Sequence, residues 1–183
     1  MKKLIYILTL FILSGCGNTT QKSEKPILTV TLEPLRYFTE AIAGNNYEVV
    51  SMVPKGSSPE SYDPTPQQLV NLSKSQAYFR IGYIGFEQAW MKKLEANCPN
   101  MKVYNTPKGI DLIRDKGHWH GEHFHEGGVE PHVWNSTQNA LIIADNIYQA
   151  LCELDSTHQE DYQKRLDVLK QTIRQTDANI RTL

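Results

Sequence analysis

The first half of the chain alternates apolar runs with segments whose apolar residues recur every three or four positions. Four apolar, β-branched runs predict buried strands, at 27–32, 47–53, 77–81 and 101–104. Helices are predicted between them, beginning near Pro34, Pro66 and Phe86. Because strands and helices that alternate with short connections pair in parallel, we expect a layered α/β domain with a four-stranded parallel sheet.

Two of these helices can be predicted in more detail. Thr65 and Gln68 have the spacing of a capping box, which fixes the start of the second helix. In the third helix, helical spacing predicts a single buried side formed by Phe86, Trp90 and Leu94.

A long connection at 107–131 interrupts the alternation, and it is rich in glycine, histidine and charge, as functional or disordered loops are. Two helices follow it. Asn135 or Ser136 can cap the first, which should end near Glu153, and a capping box at 156–159 opens the second. The apolar residues predicted to face inward are Leu141, Ala144, Ile147 and Leu151, followed by Tyr162, Leu166, Leu169, Ile173 and Ile180.

The N-terminus has the pattern of a bacterial export signal. Two lysines precede an apolar run at 4–13, which is too short to span a bilayer, since a spanning helix needs about 20 residues. The tetrapeptide Leu-Ser-Gly-Cys that ends at Cys16 matches the lipobox of bacterial lipoproteins. We expect a lipoprotein signal peptide at 1–15, a lipid on Cys16 and a flexible tether at 16–26. The alternative is an ordinary signal peptide with a chance cysteine.

Charge and cysteine content exclude several classes of protein. The formal net charge is −1, and because residues 1–15 hold two lysines and no acids, the exported chain lacks the basic surface that nucleic acid requires. Cys98 and Cys152 form either a disulfide, which an extracytoplasmic compartment permits, or remain ordinary thiols. The absence of a Cys-x-x-Cys motif argues against a zinc ribbon and a thioredoxin-like site.

Histidines are concentrated in the long connection. Four of them form a polar, glycine-rich loop at 117–128, namely His118, His120, His123 and His125. Neutral imidazole is a common ligand of Zn²⁺, and glycines let the backbone wrap around an ion, so this pattern predicts metal contact. The alternative is a solvated polar loop with incidental metal affinity. Because no His-Glu-x-x-His motif occurs, a zincin protease is not indicated.

His132 stands apart from these histidines because it lies where regular structure resumes. Pro131 and apolar neighbours should fix its direction, and Trp134 can pack against it and exclude water from one side. A core histidine bonded to the backbone is the alternative.

Two motifs taken together resemble the substrate-binding proteins of bacterial zinc and manganese ABC importers. In the segment 53–66, a strand, a proline, a Gly-x-x-Pro turn, Tyr62 and a proline-opened helix follow that family's first metal-ligand loop. Its second ligand histidine lies in an Asp-Pro-His-x-Trp motif, where this chain has Glu-Pro-His-Val-Trp at 130–134. Zinc-specific members carry a His-rich loop just before that motif, which corresponds to 117–128.

The resemblance implies high-affinity capture of zinc for a cognate ABC permease in the inner membrane, and no catalysis. It also implies a periplasmic or cell-surface protein that is attached to the membrane by its lipid. His132 would be one metal ligand, and Glu60 occupies the position of the family's first ligand histidine. A carboxylate there favours harder ions, so Mn²⁺ and Fe²⁺ are alternatives to Zn²⁺. The opposing interpretation is that Glu60 is a solvent-facing acid that binds nothing.

The resemblance also divides the chain into an N-terminal lobe at 27–155 and the start of an interlobe helix at 156–183. A second lobe, which supplies two more ligands in the family, is expected to be missing. Glu60 and His132 would then form half of a tetrahedral site, and the apolar stripe of the last helix should be partly exposed. We expect weak zinc binding by this chain unless loop residues, His120 and His123 first, complete the shell.

Two other functions are compatible with parts of the sequence. A His-rich extracellular zinc chaperone or buffer needs only the loop at 117–128. A zinc hydrolase needs three fixed ligands and a general base, for which Glu122 or Glu126 are candidates without supporting spacing. We rank the transport function first and the hydrolase last.

Overall fold

A computed structural model describes residues 25–120, 123–125 and 127–183, and within 118–126 it describes the backbone of the two short strands alone. The predicted signal peptide, the lipid site at Cys16 and most of the tether lie outside the described residues. Within them, no helix combines the length and apolar character that crossing a membrane requires.

The four predicted strands form one parallel sheet, which confirms the predicted fold class. They are β1 (Ile27–Val30), β2 (Glu48–Ser51), β3 (Ser75–Arg80) and β4 (Lys102–Asn105), and their order across the sheet is β2-β1-β3-β4. Five α-helices accompany them: α1 (Glu33–Ala43), α2 (Pro66–Leu72), α3 (Gly85–Asn97), α4 (Thr137–Leu154) and α5 (Gln159–Ile180). Each strand is shorter than or displaced from its apolar run by one to three residues, because pairing decides where a strand ends.

Side-chain capping signals predicted two helix starts correctly and one incorrectly. The capping box of α2 is present, because the Gln68 N–H donates to Thr65 Oγ1 and the Thr65 N–H donates to Gln68 Oε1. Ser136 caps α4. The predicted box at 156–159 is wrong, since a short 3₁₀ turn precedes α5 and Asp155 accepts the Thr157 N–H at 3.0 Å.

Helices α1, α4 and α5 pack against one another on one face of the sheet. The right-handed crossover of parallel strands places α2 and α3 on the opposite face. The buried stripe of α5 consists of Tyr162, Leu166, Leu169 and Ile173. Helices α1 and α4 cover these four residues, and of the five apolar residues predicted for the stripe Ile180 is the exposed one. The predicted partial exposure is therefore confined to the C-terminal end of α5.

Two predictions about single side chains are also corrected. Trp90 is half-buried rather than part of the core, because its indole N–H needs an acceptor and donates to Asp63 Oδ1 at 3.0 Å. Met91 is buried in its place, beside Phe86 and Leu94. Cys98 and Cys152 are free thiols, so the disulfide alternative is wrong.

The long connection contains a β-hairpin that the sequence analysis did not predict. An antiparallel bridge joins Arg114 to Val129, and beyond it β5 (His118–His120) pairs with β6 (His123–His125). Histidines that alternate with other residues are typical of a strand as well as of a metal-binding segment. Here the alternating segments form the two paired strands.

Candidate metal-binding site

The carboxyl ends of β1 and β3 mark the place where a ligand is expected. These strands are neighbours, yet the connection from β1 leads to β2 on one side and the connection from β3 leads to β4 on the other. In open α/β sheets the crevice at such a switch point is the usual binding site.

Glu60 lies at this edge, because the loop after β3 holds it there. The Gly85 N–H donates to Glu60 Oε2 at 2.9 Å, and the next N–H, of Phe86, donates to the Pro59 carbonyl at 2.9 Å. Gly85 is the first residue of α3, so the carboxylate also satisfies an otherwise unpaired helix N–H. The bond uses Oε2, and Oε1 of the exposed carboxylate is available to a cation.

The packing between Glu60 and Gly85 requires glycine. A Cβ atom added at position 85 would lie 2.3 Å from the Glu60 carbonyl oxygen, far inside van der Waals contact. No local signal in the sequence points from Gly85 to Glu60, since the two residues are 25 positions apart.

The segment that carries Glu60 is anchored on both sides of the candidate ligand. The Tyr62 hydroxyl donates to Gln68 Oε1 at 2.7 Å, and Gln68 Nε2 donates to the Met52 carbonyl at 2.8 Å. The bond from Trp90 to Asp63 joins the same segment to α3. These contacts leave Glu60 on an ordered loop rather than a free one.

His132 lies on the same side of the sheet. Helix α4 runs antiparallel to β4, because Glu153 bonds Lys102 at the start of β4 and Asn146 bonds the Thr106 carbonyl just past its end. The residues of α4 before Asn146 therefore project beyond the carboxyl edge by about 13 Å, at 1.5 Å per residue. A short 3₁₀ turn at Val133–Asn135 leads into this end, and His132 is the residue before that turn.

A neighbouring acid orients the imidazole of His132. Its Nδ1 lies 2.5 Å from Glu130 Oε1, and its backbone N–H donates to the same oxygen at 3.1 Å. This contact lowers the pKa of the Glu130 carboxyl. Because Nδ1 is engaged, Nε2 is the nitrogen left for a metal ion, as in carboxylate–histidine–metal arrangements.

The predicted contact between His132 and Trp134 is present, with ring centroids 5.3 Å apart and planes at 62°. No role for Glu130 was predicted from the sequence. The spacing of Glu130 and His132 could have indicated one, because an acid two residues before a histidine can reach Nδ1 when a turn follows.

The described residues form no complete metal shell. Among the described residues, no group of three or more histidine, cysteine, aspartate and glutamate side chains is close enough to hold an ion. In the hairpin, backbone register pairs His118 with His125 and His120 with His123, which places all four residues on one face.

Comparison with known protein families shows the family to which this fold belongs. A family model described as ZnuA, zinc-uptake complex component A periplasmic, matches residues 28–183. The chain belongs to the ZnuA family. This confirms the resemblance that the two motifs indicated.

Curated relatives of this ZnuA-family chain include proteins named for different metals. The Streptococcus pyogenes serotype M1 protein named iron ABC transporter substrate-binding lipoprotein MtsA is 32% identical over 168 residues. The Streptococcus gordonii protein named manganese ABC transporter substrate-binding lipoprotein scaA is 31% identical over 180 residues. The alignments cover 87% and 91% of this chain but 52% and 56% of the relatives, so the chain spans about half their length.

Solved ZnuA structures share the fold. A zinc-bound crystal structure of a ZnuA internal-deletion mutant has a TM-score of 0.76 and 32% identity, over 85% of this chain and 57% of that one. A second ZnuA crystal structure has a TM-score of 0.73, also at 32% identity. The matched part is the parallel-sheet lobe with its long C-terminal helix.

Proposed function

We propose that this chain captures a divalent transition-metal ion at the carboxyl edge of its sheet, with Glu60 and His132 as its two ligands there. The observation that carries the proposal is the arrangement of these side chains in a ZnuA-family lobe. Glu60 is fixed through one oxygen with the other available, and His132 is fixed through Nδ1 with Nε2 available. Both are therefore pre-oriented ligands, which reduces the entropy lost on binding.

Zn²⁺ is the metal we propose first. An imidazole with one carboxylate suits a borderline-soft ion, and a zinc-bound ZnuA structure is among the matched neighbours. Mn²⁺ and Fe²⁺ are the alternatives, because Glu60 is a harder ligand than histidine and two relatives are named for iron and manganese.

The wider role follows from the family. We propose that the protein is the extracytoplasmic substrate-binding component of an ABC importer, passes its ion to a cognate permease and catalyses no reaction. Its relatives are named lipoproteins, which supports the predicted lipid on Cys16, membrane attachment and an exported, periplasmic or cell-surface location. We propose no nucleic-acid partner.

Calorimetric titration of Zn²⁺, Mn²⁺ and Fe²⁺ into the purified chain tests this proposal. A two-residue site with water in the remaining positions should bind more weakly than a four-ligand site. Glu60→Ala and His132→Ala should each weaken binding further, while the matched controls Glu95→Ala and His158→Ala should not, since these exposed residues lie away from the site. Equal affinities in all five proteins would refute the assignment.

The hairpin supports a second candidate function, that of a His-rich zinc chaperone or buffer. Its four histidines occupy one face by backbone register, so His118, His120, His123 and His125 are proposed as an auxiliary metal site. Deletion of 117–128 separates the two functions. Under the transport proposal, the binding that depends on His132 survives the deletion, whereas under the buffer proposal all measurable zinc binding disappears.

A further inference from the structure

Glu87 carries a fully buried carboxylate that the proposed metal site does not use. It lies in the first turn of α3, and its side chain is 0% exposed. Oε1 accepts the Ile81 N–H at 2.8 Å and the Thr31 hydroxyl, and Oε2 accepts the Gly82 N–H and lies 3.5 Å from Arg80 Nε. A buried carboxylate is tolerated only where such partners replace water.

The position of this carboxylate in the fold is significant. Thr31 directly follows β1 and Ile81 directly follows β3, so Glu87 joins the two central strands at the switch point where the ligand crevice opens. Burial raises the pKa of Glu87, and the hydrogen bonds from Thr31 and the two backbone amides oppose that rise. The group is thus held by a nearly complete set of donors.

The same contacts fix the loop at 81–85. Glu87 holds its beginning through the N–H groups of Ile81 and Gly82, and α3 begins at its end. The last residue of this loop is Gly85, whose N–H holds the Glu60 carboxylate at 2.9 Å. A shift of the loop would therefore move the donor on which the position of Glu60 depends.

We propose that Glu87 is a positioning residue for metal capture: through the loop at 81–85 it fixes the Gly85 amide that holds the Glu60 carboxylate. This inference rests on the proposed function of Glu60. A purely structural Glu87 would weaken binding whether or not Glu60 is present. A positioning Glu87 affects binding through Glu60 alone.

A double-mutant cycle distinguishes the two roles. Glu87→Gln keeps the shape but turns an amide NH₂ toward backbone donors, so the loop must shift. It should lower Zn²⁺ affinity about 10-fold, because loss of a residue that orients a metal ligand typically costs at least that much. In the Glu60→Ala background it should cause no further loss of affinity. Thr31→Val removes one donor with little change of volume and should act in the same direction. Thr29→Val is the control, because it breaks a buried hydroxyl pair with Ser75 away from the loop.

Hydrogen exchange of the Gly85 amide, followed by NMR without metal, gives a second readout. Glu87→Gln should raise this exchange rate toward that of Glu60→Ala, and Thr29→Val should leave it unchanged. An unchanged Gly85 rate in both Glu87→Gln and Thr31→Val, or an equal loss of affinity with and without Glu60, would overturn the inference. Unchanged zinc affinity in Glu60→Ala would instead refute the proposed function, while the exchange rates would still report whether Glu87 positions Glu60.

Discussion

Replacement of Gly85 by alanine is the most informative single perturbation of the site. The added Cβ would lie 2.3 Å from the carbonyl oxygen of Glu60 and 3.0 Å from its Oε2. The first of these neighbours is backbone, so it cannot rotate away. Either the segment around Glu60 or the start of α3 must move, and the hydrogen bond from Gly85 to the carboxylate lengthens or breaks.

Two effects of Gly85→Ala oppose each other. Alanine is the better helix former, by up to about 1 kcal/mol in a helix interior and less in a first turn. Overpacking costs about 1–3 kcal/mol, and loss of one hydrogen bond adds about 1 kcal/mol. The clash should therefore win, with a net loss of about 2 kcal/mol in the free energy of unfolding. For a chain of this size that lowers Tm by about 4–8 °C.

Thermal unfolding followed by circular dichroism measures this effect, and zinc titration of the same sample measures its consequence for the site. Gly128→Ala is the matched control, because a Cβ there meets no atom within 4 Å and its φ is not positive. It should change Tm by no more than about 2 °C. A Gly85→Ala protein as stable as the parent, with unchanged zinc affinity, would show that Glu60 does not depend on this contact.

Three further predictions test other parts of the structure. Leu166→Ala should lower the free energy of unfolding by about 2–5 kcal/mol in urea, because Leu166 is only 2% exposed, and a negligible change would show that α5 does not pack on the lobe. Hydrogen bonds, first from Thr157, lower the pKa of Asp155 to about 2, so its stabilisation is complete above about pH 4 and is lost as the pH falls toward 2. Asp155→Asn should therefore lose less stability over that window than the parent, and equal slopes would contradict the pKa. Glu130→Ala should weaken zinc binding about 10–100-fold because Nδ1 of His132 loses its partner, and an unchanged affinity would remove Glu130 from the site.

Interactions between near neighbours in the sequence could be predicted, while those between distant segments could not. The capping box of Thr65 and Gln68 depends on two residues three positions apart, so the sequence alone specifies it. The bond from Gly85 to Glu60 joins two segments that only the fold brings together. Nothing in the sequence of either segment predicts its contact with the other.

For the last helix, α5, the sequence predicted a buried face but not the helices that bury it. Its apolar stripe predicted correctly that one face is buried, but not which part of the protein would cover it. Because α4 and α5 contact α1 on a shared face of the sheet, Leu166 and Ile173 are already buried within this lobe. Periodicity specifies a face of a helix, whereas the partner depends on topology.

The histidines of the long connection carried two signals at once. His118 and His120 alternate with other residues, as do His123 and His125, and that period of two is typical of strands. Because imidazole is a common metal ligand, the sequence was interpreted as a loop wrapped around an ion. In the structure, the alternate spacing of these histidines follows from the two strands β5 and β6, which pair in antiparallel register.

Glu60 and His132 are proposed to bind the same ion, and paramagnetic NMR with Co²⁺ in place of zinc is the sharpest test of that shared site. In a chain lacking 117–128, one equivalent of Co²⁺ should shift or broaden the Gly85 amide and the His132 ring protons in parallel, with a single binding curve. The same perturbation should vanish from both signals in Glu60→Ala and in His132→Ala. Perturbation of the His132 signals alone, with the Gly85 amide unaffected at saturation, would show that Glu60 and His132 do not share an ion.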